Sequence, residues 1–339
     1  MRGFTLSSLI LLFASFCSPA FANHDIKHFN DILWASPKGF NLTLDISVPD
    51  TKTKSKPVLV IFHGGGWLLN NKSIMSDLAD GIATRTDVIT VNANYRLLSD
   101  VNNTTTVNEI IEDGMGAVLW VKENIQRYGG DPKKVAVTGD SAGGHLAAMI
   151  TVAGRNLGSD SFNKKPLTFK PTYLPKGMTA EQVAKKDGLK LQAAILSYAG
   201  FSLLDMVKRD FETDKNPFWK FANVKPRGMF GEKINVNDNP DYYQAVSPNQ
   251  YFINAKEYKL PFQFVHVGEL DSLTTPEIAK KYVEQLQSLD QPVRLKIYPG
   301  KKHGFLDSGC NDYNNGCFKE LSEPAVTDMV GFLNEVFTL

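Results

Sequence analysis

Cysteine is scarce in this sequence: three residues in 339, one of which, Cys17, lies in the first stretch of the chain. No Cys/His cluster has the spacing of a zinc site, and no glycine-rich loop opens a helix in the dinucleotide-phosphate pattern, so neither a metal nor an organic cofactor is expected. An excess of either charge is also missing. The chain carries 37 basic and 36 acidic residues, and nothing global points to nucleic acid or a membrane surface as partner. The apolar run near the start, Leu9 to Phe16, is too short to span a bilayer.

That run has a different meaning. Met1 to Ala22 holds one basic residue, Arg2, no acid, the apolar core and then Ala20-Phe21-Ala22, which is the composition of a secretory signal peptide. Residues 1–22 are therefore expected to be cleaved, and the product to be secreted or periplasmic. Phe16 is too large for the small residue a lipoprotein signal places before its cysteine, so no stable membrane anchor is expected. Losing Arg2 takes the basic count from 37 to 36, equal to the acidic count. Cys17 leaves as well. Cys310 and Cys317 remain, and two nearby cysteines in a secreted chain are expected to pair, closing a short loop worth roughly 2 to 3 kcal/mol in the chain-entropy description.

Two glycine motifs dominate the remainder: His63-Gly64-Gly65-Gly66-Trp67 and Gly139-Asp140-Ser141-Ala142-Gly143-Gly144. The second fits G-x-S-x-G, the turn that lifts a serine hydroxyl into a cleft where a strand becomes a helix. Alone it is weak, arising by chance in about one chain in ten of this length, whereas a His-Gly-Gly-Gly run arises in well under one in a hundred. Each motif follows an apolar strand pattern. Pro57 to Phe62 leads into His63, Lys134 to Thr138 leads into Gly139, and small residues after Ser141 open a helix fit for close packing.

The rest alternates strand and helix. Asn30 to Ala35 and Asn41 to Val48 read as an antiparallel edge around Pro37-Lys38-Gly39, with Leu42, Leu44 and Ile46 facing inward. A helix ends at Ala83, a strand holds Val88, Ile89 and Val91, and helical spacing joins Ile111, Met115, Val118, Val121 and Ile125 before a stop at Tyr128-Gly129-Gly130-Asp131-Pro132. Strands follow at Leu191 to Ser197, Pro261 to Val267 and Val293 to Tyr298, with a last helix from about Pro324 to Phe337. The expected class is α/β, with a mostly parallel, doubly wound sheet in one catalytic domain over residues 23–339. Residues 155–190 and 203–250 break the rhythm and are expected to build a cap. The aromatics of the second segment, Phe211, Phe218, Trp219, Phe221, Phe230, Tyr242 and Tyr243, line an acyl or aryl pocket or hold the cap's own core.

A serine hydroxyl needs a base within hydrogen-bond reach and an acid to orient that base. After a G-x-S-x-G elbow the acid comes next in the chain and the histidine last. Of six histidines, only His303 lies beyond the last plausible acid loop, in Gly300-Lys301-Lys302-His303-Gly304-Phe305. His145 and His266 fall inside a helix and an apolar strand and read as structural, and His63 as a brace for the glycine loop. For the acid, Gly268-Glu269-Leu270-Asp271 offers two carboxylates; Asp271 lies further into the loop and is favoured, with Glu269 its competitor. The N–H groups of Gly64, Gly65 and Ala142 are the expected oxyanion donors, each worth roughly 3 to 4 kcal/mol to a transition state.

These residues resemble the α/β-hydrolase superfamily, and within it the hormone-sensitive-lipase-like carboxylesterases and related bacterial feruloyl or acetyl esterases. Leu44-Asp45-Ile46, Tyr95-Arg96-Leu97, Gly268-x-x-Asp271 and His303-Gly304-Phe305 add to the two glycine motifs in the family's order. The resemblance implies an α/β-hydrolase fold with an inserted cap, Ser141 as nucleophile, Asp271 as acid, His303 as base, and Gly64, Gly65 and Ala142 at the oxyanion. Two departures stand out: Ser272 follows Asp271 where many relatives have proline, and the insertion at 155–190 is long.

The expected function is ester hydrolysis through an acyl-Ser141 intermediate, acting on a small-molecule or polysaccharide-linked ester. A serine peptidase or amidase on the same fold is the first alternative, disfavoured because such peptidases commonly carry a large N-terminal propeller for which the early segment has no room. A non-catalytic binding protein is the second, disfavoured because serine and histidine are both retained. Acyl and alcohol specificity depends on cap packing and is not legible, nor is the oligomeric state.

Overall fold

In a computed structural model of the chain, residues 23–338 are described; the expected signal peptide lies outside them. Eight strands form one sheet: β1 (Ile26–Ala35), β2 (Leu42–Pro49), β3 (Lys56–Phe62), β4 (Ile89–Ala93), β5 (Gly130–Asp140), β6 (Ala193–Ser197), β7 (Phe262–Gly268) and β8 (Val293–Tyr298). Their order across the sheet is β1-β2-β4-β3-β5-β6-β7-β8. β2 runs antiparallel to both its neighbours, and every pair from β4 through β8 is parallel. The antiparallel edge is as expected, with Leu42, Leu44 and Ile46 fully buried.

All seven residues of β3 are buried, which requires cover on both faces and explains its unbroken apolar sequence. Helices α1 (Ser76–Ala83), α2 (Val107–Asn124), α3 (Ser141–Ala153), α4 (Pro276–Gln287) and α5 (Phe318–Phe337) supply that cover. α1 packs against α5, α2 against α3, and α4 against β7 and β8. Among the described residues no helix is long and apolar enough to cross a membrane.

Chain order and sheet order part company at β3. The chain leaves β3 for β4 on one side, then returns to place β5 on the other. A crevice opens outside the carboxyl ends of strands at such a switch point. Because Phe62 and Gly139 are register partners, the residues following each strand emerge side by side. This is why two motifs far apart in sequence meet.

Two boundaries differ from the sequence reading. β5 begins at Gly130 instead of Lys134: Gly129 makes the left-handed stop at φ 87°, and Gly130 already pairs with Lys56. α5 begins at Phe318, and Pro324 lies inside it instead of starting it. Proline lacks the N–H that would bond the carbonyl four residues back; that carbonyl, on Glu320, accepts from Lys301 Nζ at 3.3 Å instead. Residues 155–190 dock on α2, where Ser161 Oγ and Lys170 N–H donate to Glu112 and Thr172 Oγ donates to Asp113.

Candidate active site

Ser141 follows the last residue of β5 and begins α3, with φ at 51°. A left-handed conformation is costly for a residue with a Cβ, and close packing around the turn holds it there. A Cβ on Gly143 would stand 2.0 Å from the Phe62 carbonyl oxygen, and one on Gly139 would stand 2.4 Å from Gly143. The glycines flanking the serine are thus required by the backbones that touch them.

The ends of β7 and β8 deliver the other expected residues. Ser141 Oγ lies 2.9 Å from His303 Nε2, and His303 Nδ1 lies 2.8 Å from Asp271 Oδ2. With the ring proton on Nδ1, facing the carboxylate, Nε2 is free to accept from the serine hydroxyl. Asp271 Oδ1 accepts from the N–H groups of Leu273 and Thr274, at 2.8 and 2.9 Å. Burial alone would raise the Asp271 carboxyl, but the His303 contact and these two N–H donors outweigh it and hold the group below its usual range. Glu269, the competing acid, is exposed and instead accepts from Gly300 N–H.

Residues that sequence reasoning did not single out complete the surroundings. Thr274 Oγ1 sits 3.0 Å from Asp271 Oδ2 and 2.7 Å from the Tyr198 carbonyl oxygen, tying the acid loop to the end of β6. The Tyr198 ring stands edge-on to His303 with centroids 4.8 Å apart. Its hydroxyl accepts from Leu306 N–H. Burial, together with the neighbouring Asp307 carboxylate, raises Asp140 well above the usual range; burial lifts Asp307 to about 6.

The triple glycine is braced from behind. His63 Nδ1 lies 2.8 Å from the Gly64 carbonyl oxygen, its ring stacks on Tyr95, and the Tyr95 hydroxyl donates to the His63 carbonyl. Burial lowers the His63 pKa to about 4, so the ring is neutral. Gly64 lies against Asp140. A Cβ on Gly64 would stand 2.3 Å from Asp140 Oδ2. Gly64 thus faces Asp140 and not the cleft, and Gly66 joins Ser141 and Ala142 in the cleft wall instead.

Above Ser141 is a chamber of about 280 Å³ walled by Trp67, Met206, Phe211, Phe218 and Leu273. Residues 203–250 contribute to this wall, and residues 155–190 do not. The aromatics divide accordingly. Phe211 and Phe218 face the chamber, Trp219 and Tyr243 are fully buried, Phe230 and Tyr242 pack with Phe162, and Phe221 is exposed. His145 and His266 are buried at Val246 O and Ser197 Oγ, with pKa values lowered by burial to about 4 and about 3, away from any acid–base role.

A mostly parallel sheet with a strained serine at its switch point, and a histidine and a carboxylate arriving from the last two strand ends, defines an α/β hydrolase. The sequence matches the BD-FAE family model over residues 44–286, and the chain belongs to that family. It is 33% identical over 273 residues to carboxylesterase NlhH of Mycobacterium tuberculosis, spanning 79% of this chain and 74% of that one. To the probable isoprenylcysteine alpha-carbonyl methylesterase ICMEL1 of Arabidopsis thaliana it is 25% identical over 297 residues, 85% of this chain and 53% of the relative. Among solved structures, a thermophilic esterase of Thermogutta terrifontis superposes with a TM-score of 0.60 at 21% identity, covering 91% of this chain and 92% of that one. A truncated carbohydrate esterase from gut microbiota reaches 0.67 at 18% identity, covering 95% and 99%. These two likenesses speak for the fold; the sequence relatives make the protein a serine ester hydrolase of the carboxylesterase class.

Proposed function

We propose that the protein is a secreted carboxylesterase working through an acyl-Ser141 intermediate. The observation that carries this is the hydrogen-bonded chain from Ser141 through His303 to Asp271, opening onto the chamber. Ser141 Oγ attacks the ester carbonyl carbon while its proton passes to His303 Nε2. The oxyanion that forms is met by the N–H groups of Gly65, Gly66 and Ala142, the last at the start of α3, where the helix dipole adds to it. The tetrahedral intermediate collapses, the ester C–O bond breaks, and the alcohol leaves with the proton from His303. Water then attacks the acyl carbon while His303 Nε2 takes its proton, and the acyl–Oγ bond breaks as that proton passes to Ser141 Oγ, releasing the acid and restoring the enzyme.

Asp271 keeps the histidine in the required tautomer and stabilises the imidazolium without taking its proton. Residues 203–250 form the cap, and the chamber size suits a short acyl or an aryl group. Secretion rests on the leader composition at residues 1–22 and on the disulfide described below. A burst of p-nitrophenol from p-nitrophenyl butyrate, equal in amount to the enzyme and absent in Ser141→Ala, is the expected result; undiminished turnover by the variant would remove Ser141 from the mechanism.

A further inference from the structure

The cleft does not end at the chamber above Ser141. A second chamber of about 420 Å³ adjoins it, and the two share Gly200, Met206, Arg209, Leu273 and Thr274 as walls. Its floor is apolar, with Phe201 stacked on Tyr282 at a centroid distance of 3.7 Å. Its lining carries three cations: Lys208 and Arg209 follow the short helix Leu203–Val207, and Lys281 comes from α4.

Only one carboxylate, Asp205, lies in the same wall. Among the described residues none of the three cations forms an ion pair. Lys215, at the neighbouring chamber, is by contrast held by Asp210 at 2.8 Å. Like charges gathered on one wall repel one another unless a counter-charge sits between them.

We propose that the second chamber binds an anionic group at the far end of the ester, with the apolar or aryl part next to the scissile bond filling the chamber at Ser141. The inference rests on Ser141 being the nucleophile in the adjoining chamber. It narrows the substrate class to esters that carry a negative charge several atoms from the reacting carbonyl. Arg209, a wall of both chambers, meets the charge where the two join, and Lys208 and Lys281 flank it.

Matched pairs of esters test this on the full-length protein: mono-4-nitrophenyl suberate against its neutral suberamate, with charge on the acyl side, and 4-carboxybenzyl butyrate against 4-carbamoylbenzyl butyrate, with charge on the alcohol side. In at least one pair the carboxylate has a KM about five- to tenfold lower than its neutral partner at low salt, and the gap narrows in 0.5 M sodium chloride, where the Debye length is only ~4 Å. Lys208→Gln/Lys281→Gln abolishes that preference while kcat and KM for p-nitrophenyl butyrate stay unchanged, and Lys208→Glu/Lys281→Glu reverses it. No preference in either pair, or a preference that survives in the double glutamine variant, overturns the proposal. Calorimetric binding of the same pairs to Ser141→Ala separates the two readings. Preferential binding of the charged ester alongside undiminished turnover by this variant sinks the nucleophile and keeps the anion site; abolished turnover without preferential binding does the reverse.

Discussion

Asp271 and Glu269 are two residues apart in the same loop, yet the fold gives them opposite surroundings. Asp271 is 3% exposed and accepts from two N–H groups and from His303, while Glu269 faces solvent and bonds Gly300. An orienting acid works by fixing a tautomer, so an amide in its place presents the wrong hydrogen-bonding face. Asp271→Asn is expected to lower kcat on the order of 10⁴-fold with little change in unfolding midpoint, whereas Glu269→Gln leaves kcat within about twofold. Stopped-flow acylation of both variants is the measurement, and equal losses would reassign the acid. The sequence order was enough to isolate His303 because no other histidine follows the acid loop. Thr274, Tyr198 and Asp140 carried no comparable signal, since their importance comes only from what the ends of β6 and β7 bring beside them.

At the scale of elements, the His303 loop is held by a small disulfide-closed ribbon. Cys310 and Cys317 are joined, and their two-residue strands β9 (Cys310–Asn311) and β10 (Gly316–Cys317) pair antiparallel. From this ribbon Asn314 Nδ2 donates to the His303 carbonyl oxygen at 3.0 Å, and the Tyr313 carbonyl accepts from Lys302 Nζ at 3.1 Å. The ribbon also sets the start of α5: Cys317 N–H donates to Glu320 Oε2 as the chain enters the helix. This explains why a helix expected at Pro324 starts at Phe318; the proline was read as a first-turn residue, and the capping signal lay in cysteine and glutamate. Cys310→Ser/Cys317→Ser is expected to lose about 2 to 3 kcal/mol of unfolding free energy by loop entropy and to lower kcat several-fold. Asn314→Ala is expected to reproduce the kcat loss without most of the stability loss. Equal kcat in all three proteins would leave the ribbon a purely structural clasp.

Across the whole molecule, buried titratable groups pull stability in opposite directions as pH changes. His63, His145 and His266 have folded-state pKa values lowered by burial to about 4, about 4 and about 3. Unfolded chains therefore bind more protons than folded ones between those values and about 6.5, and these histidines make stability fall as pH drops through that window. Glu112 acts with the opposite sign. Burial at the junction between α2 and residues 155–190 raises it to about 7, despite the hydrogen bonds from Lys170 and Ser161. Between about 4.5 and 7 the folded state binds the extra proton, so this group makes stability fall as pH rises, by up to about 1.4 kcal/mol per pH unit. None of this was legible in the sequence, where Glu112 reads as one more polar position on α2 and nothing marks the insertion as its partner. A glutamine oxygen can accept from the same two donors without the charge. Urea unfolding of wild type and Glu112→Gln at pH 5 and pH 7.5 is therefore expected to show the variant gaining about 2 to 3 kcal/mol relative to wild type as pH rises. A difference that stays constant across that range would mean that the Glu112 carboxylate keeps its ordinary affinity for protons inside the fold, and that the insertion docks on α2 without desolvating it.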